Sequence, residues 1–75
     1  MAEETKQQRR VNINEANAEE IADSLLIDIE DAEMIVALRE KIHGYSNILE
    51  VLYLEDYDKR YDEDFYNSIK DYIYV

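Results

Sequence analysis

The segment from Glu30 to Ile42 constrains the fold more than any other part of the sequence. Its residues on one side recur at spacings of three and four: Ala32, Ile35, Val36, Leu38, Arg39 and Ile42. This spacing predicts an α-helix with one buried face. Acids at its start and bases at its end match the helix macrodipole. Gly44, the only glycine, predicts a left-handed cap that stops the helix.

Composition favours a small helical fold. The 75 residues suffice for one small domain and a short tail. With 47% hydrophobic residues, one glycine and no proline, the chain is too apolar for disorder and has too few turn residues for a hairpin-rich β fold. We therefore expect an all-α bundle of four to five short helices. No apolar run approaches the ~18 residues of a membrane span, which predicts a cytoplasmic protein without membrane contact.

The remaining elements follow from local patterns. Residues 1–10 are charged and polar and predict a flexible tail. Residues 11–14 alternate apolar and polar, which predicts an extended segment with Val11 and Ile13 on the core. Three further helices are predicted: one capped by Asn17, buried at Ile21 and ending near Ser24; one over residues 48–52, capped by Ser46 or Asn47 and buried at Leu49 and Leu52; and one over residues 63–72, buried at Phe65, Ile69 and Tyr72 or Ile73.

The charge of the chain argues against nucleic-acid binding. Eight Lys and Arg residues oppose 19 Asp and Glu residues, a formal net charge of −11. Nucleic-acid binders draw most of their non-specific affinity from Lys and Arg that neutralise phosphates. Between Glu15 and Glu33 eight acids occur without one basic residue. The simplest interpretation is that these acids form solvated helix faces and caps.

No residue pattern indicates catalysis, a metal or a cofactor. The absence of cysteine excludes disulfides and thiolate zinc sites. Asp56, Asp58, Asp62 and Asp64 superficially resemble a calcium loop, but the required glycine and spaced glutamate are missing. His43, the only histidine, lies beside the predicted helix stop, which favours a cap or a surface residue over a catalytic base. We expect a non-enzymatic protein that binds neither a metal nor a cofactor.

Six of the seven tyrosines lie in the C-terminal part of the chain, among acids. One interpretation is that Tyr53, Tyr66 and Tyr72 pack against the core. The alternative is an exposed surface of tyrosines and acids around Tyr57 and Tyr61, because tyrosine is a common anchor in protein interfaces. Such a surface would suit a basic protein partner.

Several short motifs follow one another at the spacing of a known domain family. They are Val11-Asn12-Ile13-Asn14, Ala18-Glu19-Glu20-Ile21, Arg39-Glu40, Tyr45-Ser46-Asn47-Ile48 and the terminal Ile73-Tyr74-Val75. In these motifs the chain resembles the competence-protein type of helix-hairpin-helix domain, the family of the ComEA DNA receptor. The resemblance implies a tandem domain over residues 11–75, with a first unit over about 11–44 and a second over about 45–75.

The resemblance also implies two hairpins whose glycines are replaced. In DNA-binding members these glycines let backbone N–H groups grip a phosphate. Leu26-Ile27-Asp28 stands at the first hairpin, so a Cβ impedes close approach and a carboxylate repels phosphate, by about 4 kcal/mol at ~4 Å and an effective dielectric constant near 20. Direct continuation places Asp56-Tyr57-Asp58 at the second hairpin, whereas counting back from Val75 implies about four extra residues there. DNA binding is therefore expected to be lost.

Four functional hypotheses follow. The first is a non-enzymatic protein-interaction or adaptor module for a partner with a basic surface, with Glu30, Asp31, Tyr57, Tyr61 and Asp62 as candidate partner-binding residues. The second is an acidic DNA mimic that inhibits a basic nucleic-acid-binding protein. The third is a folded recognition peptide whose C-terminal residues 71–75 are the substrate of a modifying enzyme. The fourth is residual DNA binding.

Overall fold

The computed structural model describes residues 7–75, most of which are helical. The elements in chain order are strand β1 (Val11–Asn12), helix α1 (Ala18–Leu25), helix α2 (Ile29–Lys41), a long 3₁₀ helix (Ile48–Asp56), helix α3 (Glu63–Ile69), a 3₁₀ turn (Lys70–Tyr72) and strand β2 (Ile73–Tyr74). The prediction of a helical fold is confirmed in this part of the chain. The fold is not purely α, because β1 and β2 form a two-stranded parallel sheet.

The β1–β2 sheet joins the two ends of the described fold. Val11 pairs with Ile73, and both side chains are buried. The Ile13 N–H donates to the Tyr74 carbonyl at 3.0 Å. The predicted extended segment with Val11 and Ile13 on the core is confirmed. The sequence did not predict β2, because two residues are too few for a periodic pattern.

Helix α1 begins at the predicted cap. The Asn17 side chain accepts a hydrogen bond from the Glu20 N–H at 2.8 Å, which satisfies a donor that has no partner inside the helix. Ile21 is fully buried, as predicted. The helix ends at Leu25, one residue beyond the prediction.

Helix α2 confirms the element predicted from the spacing of apolar residues, shifted by one position. Its end differs in detail from the prediction, because the first left-handed residue is His43 (φ 61°), followed by Gly44 (φ 97°). The Gly44 N–H donates to the Arg39 carbonyl at 2.8 Å, the bond that closes a Schellman cap. The inward face is buried at Ala32, Ile35 and Leu38 and half-buried at Val36 and Ile42.

The helix predicted over residues 48–52 is present as a 3₁₀ helix, and it continues to Asp56. Three residues per turn place every third side chain on the same face, so Val51 and Leu54 are buried. Leu49, predicted to be buried, is 53% exposed, and Leu52 is only half-buried. The predicted cap is confirmed at Asn47, in a capping box with Glu50.

Helix α3 begins at the predicted position and ends earlier than predicted. The Asp62 side chain caps it by accepting hydrogen bonds from the N–H groups of Asp64 (3.0 Å) and Phe65 (3.2 Å). Ile69 and Ile73 are buried, as predicted. After Ile69 the backbone tightens into the 3₁₀ turn and then extends into β2.

Two residues of the segment predicted as a flexible tail, Gln8 and Arg9, contact helix α1. The Arg9 N–H donates to the Ser24 carbonyl at 2.7 Å, and its guanidinium lies 2.6 Å from the Asp23 carboxylate. The Gln8 side chain donates to the Leu25 carbonyl at 3.0 Å. The first six residues of the predicted tail lie outside the described residues.

Two polar clamps hold the N-terminal segment against the end of α2. The Asn14 amide donates to the Tyr45 carbonyl at 2.8 Å and accepts from the Tyr45 N–H at 2.7 Å. The Arg39 guanidinium donates to the carbonyls of Ile13 (3.1 Å) and Ala16 (2.6 Å). These contacts satisfy backbone groups that no helix or sheet pairs.

We expect the stability of the fold to fall as the pH rises above about 10. Burial raises the pKa of the Tyr45 phenol, whose hydroxyl donates to the Ile35 carbonyl at 2.7 Å, although the nearby Arg39 charge lowers it in part. The folded chain therefore keeps this proton at a pH where the unfolded chain releases it. The resulting stabilisation is present below the unfolded pKa and is lost as the pH rises through the folded one.

Urea unfolding at about pH 8 and about pH 11 measures this loss. Between these two pH values the free energy of unfolding of Tyr45→Phe is expected to fall less than that of the wild type. Tyr53→Phe changes an exposed ring, and its free energy of unfolding is expected to fall by as much as that of the wild type. Equal slopes for wild type and Tyr45→Phe would contradict the assignment.

Candidate functional site

The turn between α1 and α2 has an unusual backbone. Leu26 adopts the left-handed conformation (φ 56°, ψ 45°), which costs a residue other than glycine about 1 kcal/mol. The N–H groups of Leu26 and Ile27 both donate to the Ala22 carbonyl, the latter at 3.1 Å. The backbone thus keeps a shape that favours glycine, although a leucine occupies it.

Glycine at position 26 is therefore expected to give a more stable protein than alanine. Neither Leu26→Gly nor Leu26→Ala retains the leucine side chain. The difference between their free energies of unfolding therefore reports the cost of the left-handed backbone, about 1 kcal/mol in favour of glycine. At the exposed helical position Ala37 the order reverses, and Ala37→Gly is expected to cost about 1 kcal/mol. Chemical denaturation of the three variants measures the difference between glycine and alanine at both positions. An alanine variant at position 26 as stable as the glycine variant would refute a left-handed Leu26.

Large apolar side chains surround this turn and remain exposed. Leu26 is 45% and Ile29 43% exposed, and they line one shallow depression together with Ala22 and Ile27. We call these four residues the hairpin patch. Isolated exposed apolar residues are common on protein surfaces, but contiguous ones often mark an interaction site.

Carboxylates surround the hairpin patch. Glu19 and Asp23 line its edge, Asp23 being paired with the Arg9 guanidinium at 2.6 Å, and the exposed Asp28 and Glu30 flank Ile29 in the chain. Asp28 precedes α2 as its N-cap residue, yet its side chain makes no capping hydrogen bond. Asp62, the equivalent residue before α3, makes two. Capping therefore does not explain the Asp28 side chain.

The second hairpin positions differ in geometry from the first. Asp56 ends the 3₁₀ helix and Tyr57 caps it, whereas Arg60, Tyr61 and Asp62 directly precede α3. The shift of about four residues agrees with the count back from the C-terminus. Within the described residues, positive φ angles occur at Leu26, His43 and Gly44, so the connection before α3 contains no left-handed residue.

Tyr61 is a core residue, which corrects its prediction as part of an exposed surface. Its side chain is among the largest that are fully buried, at 1% exposure. Its hydroxyl donates to the Asp31 carboxylate at 2.8 Å and accepts from the Arg60 guanidinium at 2.9 Å. Burial and the Asp31 contact raise the pKa of the Tyr61 phenol, so it is neutral as a donor. Its ring meets that of Phe65 edge to face, with centroids 5.0 Å apart.

The other tyrosines divide between core and surface. Tyr66 is buried and Tyr72 half-buried, as predicted, whereas Tyr53, predicted to pack on the core, is 52% exposed. Tyr57 is exposed, as predicted, and the Lys41 ammonium lies 4.7 Å from its ring centroid. This pair borders a small apolar cavity of about 90 Å³, lined also by Met34, Ala37, Leu38 and Leu54.

The structure does not gather the five candidate partner-binding residues into one site. Glu30 lies in the first turn of α2, whereas Tyr57 lies near Lys41 in the last turn, about 16 Å away along the helix axis. Asp31 and Asp62 accept internal hydrogen bonds, and Tyr61 is buried. Of the five, only Glu30 is an exposed residue directly next to a patch residue, Ile29, in the chain.

Sequence reasoning missed Ile29 and the exposure of the leucine at position 26. The available signal was the run Leu25-Leu26-Ile27-Asp28-Ile29. Four of these five residues are apolar. Neighbouring side chains in a turn between two helices point in different directions, so they cannot all face the one core. At least one of these side chains had to face the solvent.

Comparisons with known proteins find no relative of this chain. No protein-family model matches it, and neither do curated proteins or solved structures. In the part of the chain that the structure describes, no group of three or more His, Cys, Asp or Glu side chains could hold a metal ion. None of the helices over residues 7–75 has both the length and the apolar composition needed to cross a membrane.

Proposed function

We propose that this chain is a non-enzymatic protein-interaction module on a degenerate tandem helix-hairpin-helix scaffold that no longer binds DNA phosphate. The observation that carries the proposal is the exposed, left-handed Leu26. A glycine there would let a phosphate come close to the N–H groups at the start of α2, whereas leucine adds a Cβ and an exposed apolar side chain at this turn. Asp28 and Glu30 add negative charge at the same helix end.

The arrangement of helices supports the scaffold. Helices α1 and α2 are joined by a three-residue turn that begins with a left-handed residue. Asp28 and Asp62 occupy the same position, immediately before α2 and α3. The 3₁₀ helix then stands where the second unit would have its first helix. The chain thus has the order of two hairpin units, with a less regular second one.

A basic protein is the partner that suits this surface. Most acids between Glu15 and Glu33 are exposed, and only Asp31 is half-buried. Opposite charge on a partner would speed association and select against acidic ligands. The partner would be a protein, because the exposed surface beside these acids is apolar.

Titration of fluorescent duplex DNA at low salt tests the loss of phosphate binding. We expect no saturable binding of the DNA at micromolar protein concentration. Tight binding that weakens steeply as salt is raised would overturn the proposal and favour residual DNA binding.

A DNA mimic is the second candidate, and the exposure of the acids on α1 and α2 favours it. Affinity capture from a lysate separates the two functions. Recovery of nucleases or DNA-binding proteins that duplex DNA displaces would favour mimicry, whereas partners that DNA does not displace would favour the interaction module.

The modified-peptide hypothesis requires residues 71–75 to leave the fold, because Ile73 is buried and paired. Mass spectrometry of the native protein tests it.

A further inference from the structure

We propose that the hairpin patch is the docking site for a basic amphipathic segment of the partner, which inserts an apolar side chain between Leu26 and Ile29. The inference rests on the proposed interaction function and adds the surface and the chemistry of its ligand. The occupant is a segment with apolar residues on one side and Lys or Arg on the other.

Leu26 is an exposed apolar residue with a left-handed backbone. Asparagine or glycine would adopt its left-handed backbone at lower cost, and a polar side chain would cover the turn without exposing apolar surface. Leu49 is as exposed but lies in an ordinary helical backbone, so it needs no such explanation. An exposed apolar side chain held in a costly conformation points to a contact that the isolated chain does not make.

Exposed carboxylates lie around the hairpin patch. Glu19, Asp28 and Glu30 are exposed there, and the Asp28 side chain does not cap α2. No Lys or Arg occurs between Glu15 and Glu33 in the sequence, and a basic side chain that pairs with an acid at the patch edge is Arg9, 2.6 Å from the Asp23 carboxylate. A ligand with basic residues around its apolar anchor is therefore complementary to the patch, whereas an acidic ligand is repelled.

A second copy of this chain fits less well than a basic partner. A symmetric dimer through the patch would place one ring of carboxylates against an identical ring. Like charges across an interface oppose association. The occupant is therefore a different protein.

A synthetic amphipathic peptide of Lys and Leu at helical spacing serves as the probe. The two comparison peptides are a shuffled sequence of the same composition and an all-Lys peptide. Titration followed by amide NMR is expected to shift Leu26, Ile27 and Ile29 most, with at least about tenfold weaker binding of the comparison peptides.

Matched variants test the apolar contact and the charge complementarity separately. Leu26→Ala and Ile29→Ala are each expected to weaken binding about tenfold, whereas Leu49→Ala, at an equally exposed leucine, leaves it unchanged. The triple change Glu19→Gln, Asp28→Asn and Glu30→Gln is expected to weaken binding and flatten its salt dependence. A triple change of exposed acids elsewhere, Glu55→Gln, Glu63→Gln and Asp71→Asn, removes the same charge and is expected to have a smaller effect.

Two outcomes would overturn the inference. The first is equal binding of the amphipathic and shuffled peptides together with an unchanged affinity of Leu26→Ala. The second is amide shifts centred on the Lys41–Tyr57 pair instead of the hairpin patch. Neither outcome would contradict the proposed function, which the DNA titration and the lysate capture test independently. Leu26→Gly removes the same anchor without the backbone cost, so it separates lost binding from lost stability.

Discussion

Replacing Tyr61 by alanine is expected to unfold most of the protein at room temperature. Removing a buried aromatic ring costs about 3–5 kcal/mol, and a core in so small a domain supplies only about 3–5 kcal/mol in total. Tyr61 is 1% exposed and contacts the Phe65 ring. The alanine also leaves the Asp31 carboxylate without the hydroxyl that donates to it.

Two further tyrosine variants make this expectation specific. Tyr61→Phe keeps the ring and loses only the hydroxyl, so it is expected to remain folded with a loss of about 1–2 kcal/mol. Tyr53→Ala removes a ring that is half exposed and is expected to cost much less than Tyr61→Ala. Circular dichroism and thermal unfolding measure all three. A wild-type melting temperature for Tyr61→Ala would contradict the buried position of the ring.

Arg39→Met is expected to cost about 2–3 kcal/mol, which is most of the stability of such a domain. The Arg39 side chain is only 16% exposed, and its guanidinium donates to the carbonyls of Ile13 and Ala16. Methionine replaces the apolar stem but offers no donor to either carbonyl. The cost arises because two backbone acceptors lose a charged partner away from bulk water.

Lys59→Met is the matched control, because it removes the same charge from an exposed side chain. Urea unfolding is expected to give a midpoint close to wild type for Lys59→Met and a much lower one for Arg39→Met. Arg39→Lys is expected to lie between them, since one ammonium does not reproduce the fork of a guanidinium. If the two methionine variants unfold at the same midpoint, the Arg39 clamp does not stabilise the fold.

Local signals predicted the N-terminal half of the fold well. Capping at Asn17 and the periodic burial along α2 depend on residues within one or two helical turns of each other. The alternation of residues 11–14 likewise identified Val11 and Ile13 as core residues. Such features are encoded locally, so a single sequence suffices to predict them.

The C-terminal half was less predictable because its helix type was not visible in the sequence. The residues Ile48, Leu49, Val51, Leu52 and Leu54 contain both a three-residue and a four-residue spacing. A 3₁₀ helix selects the first and exposes Leu49, whereas an α-helix would have buried it. Packing against the rest of the fold decides between the two.

The candidate site was predicted only in outline. The sequence showed a leucine at position 26, where the resembled family has glycine, but it did not show that this leucine has a left-handed backbone. Tyr61 lies among charged residues, which suggested a surface position. It is instead part of the core, and its hydroxyl donates to Asp31, a residue 30 positions earlier in the chain. Contacts of this kind leave no periodic trace in a sequence.

The pairing of β1 with β2 sets the order in which the fold can assemble. Helices α1 and α2 are neighbours in sequence and can dock while the remainder is still unstructured. Val11 and Ile73 are separated by nearly the whole described chain, so their pairing costs loop-closure entropy and we expect it to form late in folding. A nascent chain therefore completes its core only once residues 73 and 74 are free to reach β1. Weakening this pair should accelerate unfolding and leave the folding rate nearly unchanged.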